Sequence, residues 1–153
     1  MLVFKLLKQL IDIHEKTNAN VIGCLEVDKS LYSKYGMINF KDEKTNKVKS
    51  IVEKPSPEDS PSNCAGLGRY IVSSNIFTEL EKLKAGKGKE YQFTDAMTNL
   101  MNSEDFYACK LDATYYDTGS KIGYLKANID YALEREELTE ELKQYLNNKW
   151  KKL

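Results

Sequence analysis

The chain has 153 residues, of which 41% are hydrophobic and 30% are charged, and its formal net charge is +0. This length and balance predict a single globular domain over residues 1–153 and exclude intrinsic disorder. The neutral charge argues against nucleic acid as a partner, because proteins that bind it present an excess of Lys and Arg to the phosphates. We also expect no membrane partner, since no apolar run approaches a membrane span and no signal peptide is recognisable.

The first half of the chain alternates between helical and strand-like patterns. Apolar residues at helical spacing predict a helix over residues 2–16, and the short apolar run 21–27 predicts a buried strand. The runs 33–40 and 48–55 predict a hairpin with a charged tip in solvent. All three prolines fall within residues 55–62, which predicts an extended loop before a further strand over residues 63–72. Buried strands that follow a helix indicate an α/β protein with a central sheet.

The second half is mainly helical in its patterning. Ser74 is expected to cap a helix that ends at residue 83, and Thr94 or Asp95 a helix that ends at residue 101. A strand over residues 106–111 precedes two further helices, the last of which begins at about residue 137. The helix that ends at residue 83 is expected to have an inner face made of Ile76, Phe77, Leu80 and Leu83. The first helix after the strand has an apolar stripe of Ile122, Leu125, Ile129 and Leu133. The apolar residues of the last helix are Leu138, Leu142, Tyr145, Leu146 and Trp150.

Cysteines and a glycine-rich loop exclude two other kinds of site. Cys24, Cys64 and Cys109 are far apart and lie in strand-like stretches, which predicts buried, reduced thiols and a cytoplasmic protein. A zinc site is not expected, because the chain has no close cysteine pair and only one histidine, His14. The segment 84–90 is not predicted to be a phosphate loop, since it lacks the Gly-Lys-Ser/Thr ending and does not follow a strand.

The stretch 48–55 places a carboxylate beside an ammonium group at the end of a strand. Pro55 ends the strand because proline has no N–H for the ladder. Glu53 can accept paired hydroxyl hydrogen bonds, as from a sugar, and Lys54 can neutralise a phosphate. The residues taken alone fit a solvated strand end as well.

Three glycines and one aspartate mark four further positions. Gly36 precedes an alternating run, and Gly66 and Gly68 reduce the side-chain cover of the strand over residues 63–72. Close approach of a ligand and a bulge or tight packing are both open explanations of such glycines. Asp117 stands between a strand-like stretch and a helix, where it suits either a ligand or a helix cap, and one Asp does not constitute a magnesium site.

Several separated motifs occur in the order that one enzyme family shows. They are Tyr35-Gly36, Val52-Glu53-Lys54-Pro55, Pro61-Ser62-Asn63, Gly68-Arg69-Tyr70, Glu90-Tyr91-Gln92-Phe93-Thr94-Asp95, Tyr116-Asp117-Thr118-Gly119 and Lys121-Ile122-Gly123-Tyr124-Leu125-Lys126-Ala127-Asn128. Together they resemble the second half of a bacterial UTP–glucose-1-phosphate uridylyltransferase. The resemblance covers nearly the whole chain.

The resemblance implies a fold and a reaction. The fold would be part of a Rossmann-like nucleotidyltransferase, α/β, with a mixed sheet, a β-hairpin and C-terminal helices. In the reaction, a phosphate oxygen of glucose 1-phosphate attacks the α-phosphorus of UTP and gives UDP-glucose and pyrophosphate. By motif, the implied roles are Lys54 as the catalytic residue on the sugar phosphate, Glu53 on the glucose hydroxyls, Gly36, Ala65 and Gly66 around the sugar, and Asp117 on Mg²⁺. The family usually has an aliphatic residue where Gly66 stands.

Parts of the family pattern have no counterpart in this sequence, namely the glycine-rich nucleotide loop, the uracil-binding strands and a first acidic metal ligand. We therefore expect a truncated enzyme that is inactive alone, with an uncovered sheet edge and exposed apolar surface. The expected partners are UTP, glucose 1-phosphate and either a separate chain that supplies the N-terminal half or a second copy bound through the last helix. Two alternatives stay open: a non-catalytic sugar-phosphate-binding or interaction module from a truncated gene, and a thymidylyltransferase-type enzyme.

Overall fold

The computed structural model describes residues 2–84 and 91–151, and the chain divides into two compact units, Met1–Asp112 and Ala113–Leu153. The glycine-rich segment over residues 84–90 therefore lies outside the described residues from residue 85 onward. That residues 1–153 form one domain stays a prediction.

The described residues of the first unit form a five-stranded mixed sheet, three α-helices and one 3₁₀ helix. Its elements in chain order are α1 (Leu2–Thr17), β1 (Asn20–Glu26), a 3₁₀ helix (Lys29–Lys34), β2 (Gly36–Asp42), β3 (Lys47–Glu53), β4 (Cys64–Ile71), α2 (Ile76–Lys82), α3 (Phe93–Leu100) and β5 (Phe106–Lys110). The strand order is β1-β4-β2-β3-β5, and β5 returns to pair with β1 in parallel. The α/β fold class predicted from the sequence is confirmed.

β4 lies between β1 and the hairpin, so strands that are neighbours in sequence are not all neighbours in the sheet. β2 and β3 pair antiparallel as the predicted hairpin, and β4 pairs antiparallel with both β1 and β2. β3 meets β5 at a single residue pair, Lys47 and Tyr107. The described strands thus close into a ring, and the expectation of an uncovered sheet edge was wrong for them.

Alternation along β1 divides the core between the two faces of the sheet. Val21 packs with Leu10 of α1, whereas Ile22 packs with Met97 of α3 and with Phe106. Successive side chains of a strand point to opposite faces, so one strand serves both layers. The first unit therefore has α1 on one face of the sheet and α2 and α3 on the other.

A polar network connects the buried Asn20 of β1 to Ser73, Asn75 and Glu104, which are partly or fully exposed. Asn20, which is 5% exposed, donates from Nδ2 to Glu104 Oε2 (2.8 Å) and accepts from the Ser73 amide at Oδ1 (2.7 Å). Glu104 Oε1 accepts from Asn75 Nδ2 at 2.7 Å and from Ser73 Oγ at 3.0 Å. The hydrogen bonds from Asn20, Asn75 and Ser73 lower the pKa of Glu104.

The three cysteines are free and buried, as predicted. A hydrogen bond with Cys64 and burial both raise the pKa of Cys24, and burial raises the pKa of Cys109. No helix in the described ranges is long and apolar enough to cross a membrane.

Two helix caps differ from the sequence-based expectation. Asn75 rather than Ser74 occupies the N-cap of α2, and Gln92 rather than Thr94 or Asp95 occupies that of α3, in neither case with a side-chain cap bond. Phe77 is 67% exposed, so its placement on the inner face of α2 was wrong. The core contacts of α2 come instead from its buried first residue, Ile76, and from partly buried apolar residues later in the segment.

The second unit consists of α4 (Lys121–Leu133) and α5 (Glu136–Trp150). Ser120 caps α4, since its hydroxyl accepts a hydrogen bond from the Gly123 amide at 3.1 Å. Ile122 and Leu125 of the predicted stripe are exposed, and α5 buries none of its residues fully. The predicted stripe is therefore not a buried face of α4 at these two residues, and the buried residues of this helix are Gly123 and Ala127.

Candidate functional site

Strands β2, β3 and β4 meet around Gly36, near one end of each strand. Gly36 at the start of β2 pairs with Glu53 at the end of β3 on one side and with Gly66 of β4 on the other. Ala65 pairs with Met37 one residue along. The long-range pairing of β4 with β2 thus brings together Gly36, Glu53, Ala65 and Gly66, four of the residues that the sequence implied.

Space rather than backbone conformation requires glycine at residue 36. A Cβ there would lie 2.8 Å from Ile51 Cγ2 and 3.0 Å from Glu53 Oε2. At Gly66 the nearest atoms would be 3.6 Å away, which is ordinary van der Waals contact. Gly36 therefore lets the Glu53 carboxylate lie against the backbone, and Gly66 does not need to be glycine for this purpose.

Glu53 and Lys54 present opposite charges next to Gly36. Lys54 Nζ lies 3.9 Å from Glu53 Oε1, and the two side chains are 56% and 28% exposed. Adjacent strand residues normally point to opposite faces. Lys54 escapes this rule because its φ is +46°, so the chain leaves the strand direction directly after Glu53.

The conformation of Lys54 carries backbone strain. A left-handed φ costs a residue with a side chain roughly 1–2 kcal/mol, and the proline that follows restricts the residue before it further. The Lys54 amide nevertheless donates to the Tyr35 carbonyl at 3.0 Å, and Pro55 is buried. Strain of this kind concentrates at functional sites, where the surrounding structure holds it in place.

Thr94 and Tyr70 are two further residues around Glu53 whose roles the sequence analysis missed. Thr94 Oγ1 donates to Glu53 Oε2 at 3.2 Å. Burial and the negative charge of Glu53 raise the pKa of Tyr70, whose ring lies 5.4 Å from that of Phe93. Both residues stood in motifs that carried the resemblance, and that was the signal that could have found them. We call the group formed by Gly36, Glu53, Lys54, Gly66 and Thr94 the glycine site.

The remaining predicted residues differ in accessibility. Ala65 is completely buried, so its side chain belongs to the core, while Gly66 is half-buried. Asp117 is exposed and lies in the second unit, where Oδ1 accepts from the Gly119 amide at 3.2 Å. Its carbonyl accepts from the Ser120 amide (3.1 Å) and hydroxyl (2.9 Å). Asp117 thus shapes the turn that leads into α4.

Asp117 offers a metal ion a single carboxylate. Mg²⁺ prefers an octahedral set of oxygen ligands, often including substrate phosphates and water. Across residues 2–84 and 91–151, no three His, Cys, Asp or Glu side chains are grouped so that they could hold a metal ion. The described residues do not by themselves make a magnesium site.

Comparison with known proteins places this arrangement in a family. The Nucleotidyl transferase family matches residues 2–134 of the chain. The chain belongs to this family. The resemblance that the ordered motifs predicted is thereby confirmed at the level of the family.

Individual relatives agree with the family match. The UTP--glucose-1-phosphate uridylyltransferase of Streptococcus pneumoniae serotype 4 is 40% identical over 92% of this nucleotidyl transferase chain and 48% of its own length. A structure of UDP-glucose pyrophosphorylase from Acinetobacter baumanii aligns at a TM-score of 0.81 and 31% identity, over 93% of this chain and 50% of that one. A UDP-glucose pyrophosphorylase complexed with UDP-glucose aligns at 0.78 and 36% identity, over 85% and 50%. The chain therefore spans about half the length of the relatives it matches.

Proposed function

We propose that this chain provides the sugar-phosphate-binding portion of a UTP–glucose-1-phosphate uridylyltransferase. The observation that carries the proposal is the pairing of Glu53 with Lys54, 3.9 Å apart beside Gly36. A carboxylate that accepts hydrogen bonds from hydroxyls, beside an ammonium group that donates hydrogen bonds to a phosphate, suits a phosphorylated sugar. The names of the relatives support glucose 1-phosphate as that sugar and UTP as the second substrate.

In the proposed reaction the chain positions its substrate rather than forming a covalent bond with it. A phosphate oxygen of glucose 1-phosphate attacks the α-phosphorus of UTP, and pyrophosphate leaves as UDP-glucose forms. Lys54, the proposed catalytic residue, neutralises the sugar phosphate, and Glu53 orients the glucose through its hydroxyls. Gly36, Ala65 and Gly66 line the sugar site as backbone. Phosphoryl-transfer enzymes gain most of their rate from such positioning and charge neutralisation.

Turnover is proposed to require more than the described residues. We propose that the nucleotide-binding portion comes from further residues of the same protein or from a separate chain. Asp117 would be one ligand of Mg²⁺, beside substrate phosphates, water and groups from that portion. Bound there, the ion would neutralise phosphate charge.

Binding of glucose 1-phosphate tests the role of the charged pair. Lys54→Ala should weaken binding about tenfold or more, because a hydrogen bond to a charged group contributes about 1.5–3 kcal/mol. Lys49→Ala removes an exposed lysine from β3, the strand that precedes Lys54, and should leave the affinity unchanged. Glu53→Gln should weaken glucose 1-phosphate more than inorganic phosphate. Equal affinities of Lys54→Ala and wild type for glucose 1-phosphate, measured by calorimetry, would reject the proposed clamp, which is the pair of Glu53 on the sugar hydroxyls and Lys54 on the phosphate.

Release of pyrophosphate from UTP, glucose 1-phosphate and Mg²⁺ tests the reaction itself. The chain alone should show no turnover, and adding the N-terminal portion of a relative should restore it. Restored turnover should then depend on Lys54. Turnover by the chain alone would contradict the requirement for a second portion.

A second function is a module that binds a sugar phosphate without turning it over. Binding without turnover in the presence of the N-terminal portion would establish this function. Replacing UTP with dTTP in the same assay distinguishes a thymidylyltransferase-type enzyme from the uridylyl type.

The cellular setting and the assembly complete the proposal. Three buried free thiols suit the reducing cytoplasm, which is the compartment we propose. On α5, Tyr145 is 57% and Trp150 is 79% exposed, and we propose that this helix joins two copies of the chain. The mass of the chain in solution, measured by light scattering, tests that assembly.

A further inference from the structure

The two oxygens of the Glu53 carboxylate have different neighbours. Oε2 accepts the Thr94 hydroxyl at 3.2 Å and lies against the backbone of Gly36, where an added Cβ would be 3.0 Å away. Oε1 faces Lys54 Nζ across 3.9 Å, which is too long for a direct hydrogen bond. Thr94 therefore makes the one close hydrogen bond between a described side chain and this carboxylate.

Thr94 is itself held in place by the packing of α3. Ala96, Met97 and Leu100 are buried, and Phe93 lies against Tyr70. One turn after Thr94, the Thr98 hydroxyl accepts a hydrogen bond from the Ile51 amide at 3.3 Å. Residues four apart share a helix face, so both hydroxyls point from α3 to β3, one to a side chain and one to the backbone.

We propose that Thr94 is a positioning residue for sugar recognition, which holds the Glu53 carboxylate away from Lys54. The proposal rests on the proposed function of the glycine site. With Oε2 fixed, the remaining lone pairs of the carboxylate accept the hydroxyls of the sugar, and Lys54 stays available for the phosphate. Without the Thr94 hydroxyl, the carboxylate is free to close the 3.9 Å gap and neutralise Lys54. Loss of one hydroxyl thus impairs both halves of the clamp.

Affinity for glucose 1-phosphate, measured by calorimetry on the whole chain, tests this role with three variants. Thr94→Val keeps the shape of the side chain, removes the donor and should weaken binding about tenfold, as expected for a lost hydrogen bond to a charged group. Thr94→Ser keeps the hydroxyl and should restore binding to within about threefold of wild type. Thr98→Val loses the other hydroxyl and should lower Tm without changing the affinity.

Three results would overturn the proposal: wild-type affinity in Thr94→Val, failure of Thr94→Ser to restore binding, or an equal loss in Thr98→Val. The last would mean that only the docking of α3 matters. A thermal double-mutant cycle between Thr94→Val and Glu53→Ala, which removes the acceptor, reports the contact without any ligand. Non-additive losses of Tm support it, and additive losses overturn it. Absence of binding by wild type together with a non-additive cycle would refute the proposed function of the glycine site while leaving the contact itself established.

Discussion

Gly36→Ala adds one methyl group to the glycine site. The new Cβ would meet Ile51 Cγ2 at 2.8 Å and Glu53 Oε2 at 3.0 Å, closer than ordinary contacts. Ile51 is β-branched and stiff at χ1, so it yields only by moving the strand. Glu53 is flexible and yields by moving its carboxylate, which breaks the hydrogen bond from Thr94.

The two responses set the magnitude of the effect. Overpacking costs about 1–3 kcal/mol, and alanine regains part of this by restricting the unfolded chain, which leaves a net loss of about 1–2 kcal/mol. For a chain of this size the melting temperature should fall by about 2–8 °C. Displacement of Glu53 should weaken binding of glucose 1-phosphate about tenfold.

Thermal unfolding and calorimetry of the variant measure the two effects separately. Gly66→Ala is the control for stability, because its Cβ would meet nothing closer than 3.6 Å. Its Tm should stay within about 2 °C of wild type. Wild-type Tm and affinity in Gly36→Ala, or an equal fall of Tm in Gly66→Ala, would refute the argument from space.

Three further substitutions test the structure away from this contact. Glu104→Gln should lower the free energy of unfolding by about 1–3 kcal/mol at pH 7, whereas Glu81→Gln, at an exposed residue, should change it very little. Because the pKa of Glu104 is lowered in the folded state, its contribution to stability is present above the ordinary carboxyl pKa of 4.5. The difference in Tm between Glu104→Gln and wild type should therefore shrink as the pH falls through the folded pKa. Lys54→Gly should raise stability by roughly 1 kcal/mol over Lys54→Ala, because glycine accepts a φ of +46° without strain, while both variants lose affinity for glucose 1-phosphate. Gly123→Ala should unfold the start of α4, because the added Cβ would overlap the Asp117 carbonyl oxygen. The helical signal in circular dichroism should therefore fall, and an unchanged spectrum would contradict this geometry.

Most helices and strands could be predicted from the sequence because their signals are local. Apolar periodicity indicated α1, β1 and the hairpin, and Pro55 marked the end of β3. Helix starts were predicted less well. Thr94 is a residue type that commonly caps helices, yet its hydroxyl donates to Glu53, 41 residues away in sequence. A residue type that can bond both locally and over long range does not disclose which bond it makes.

The candidate site divides in the same way. The sequence alone determined that a carboxylate and an ammonium stand together before a proline, and its ordered motifs indicated the family. Only the tertiary structure decided that β4 lies beside β2, so that Gly36 meets both Glu53 and Gly66. It also decided that Lys54 adopts a left-handed conformation and that Thr94 reaches the carboxylate. The physical reason is that these features depend on strand pairing and helix packing between distant segments, which no local pattern of residues encodes.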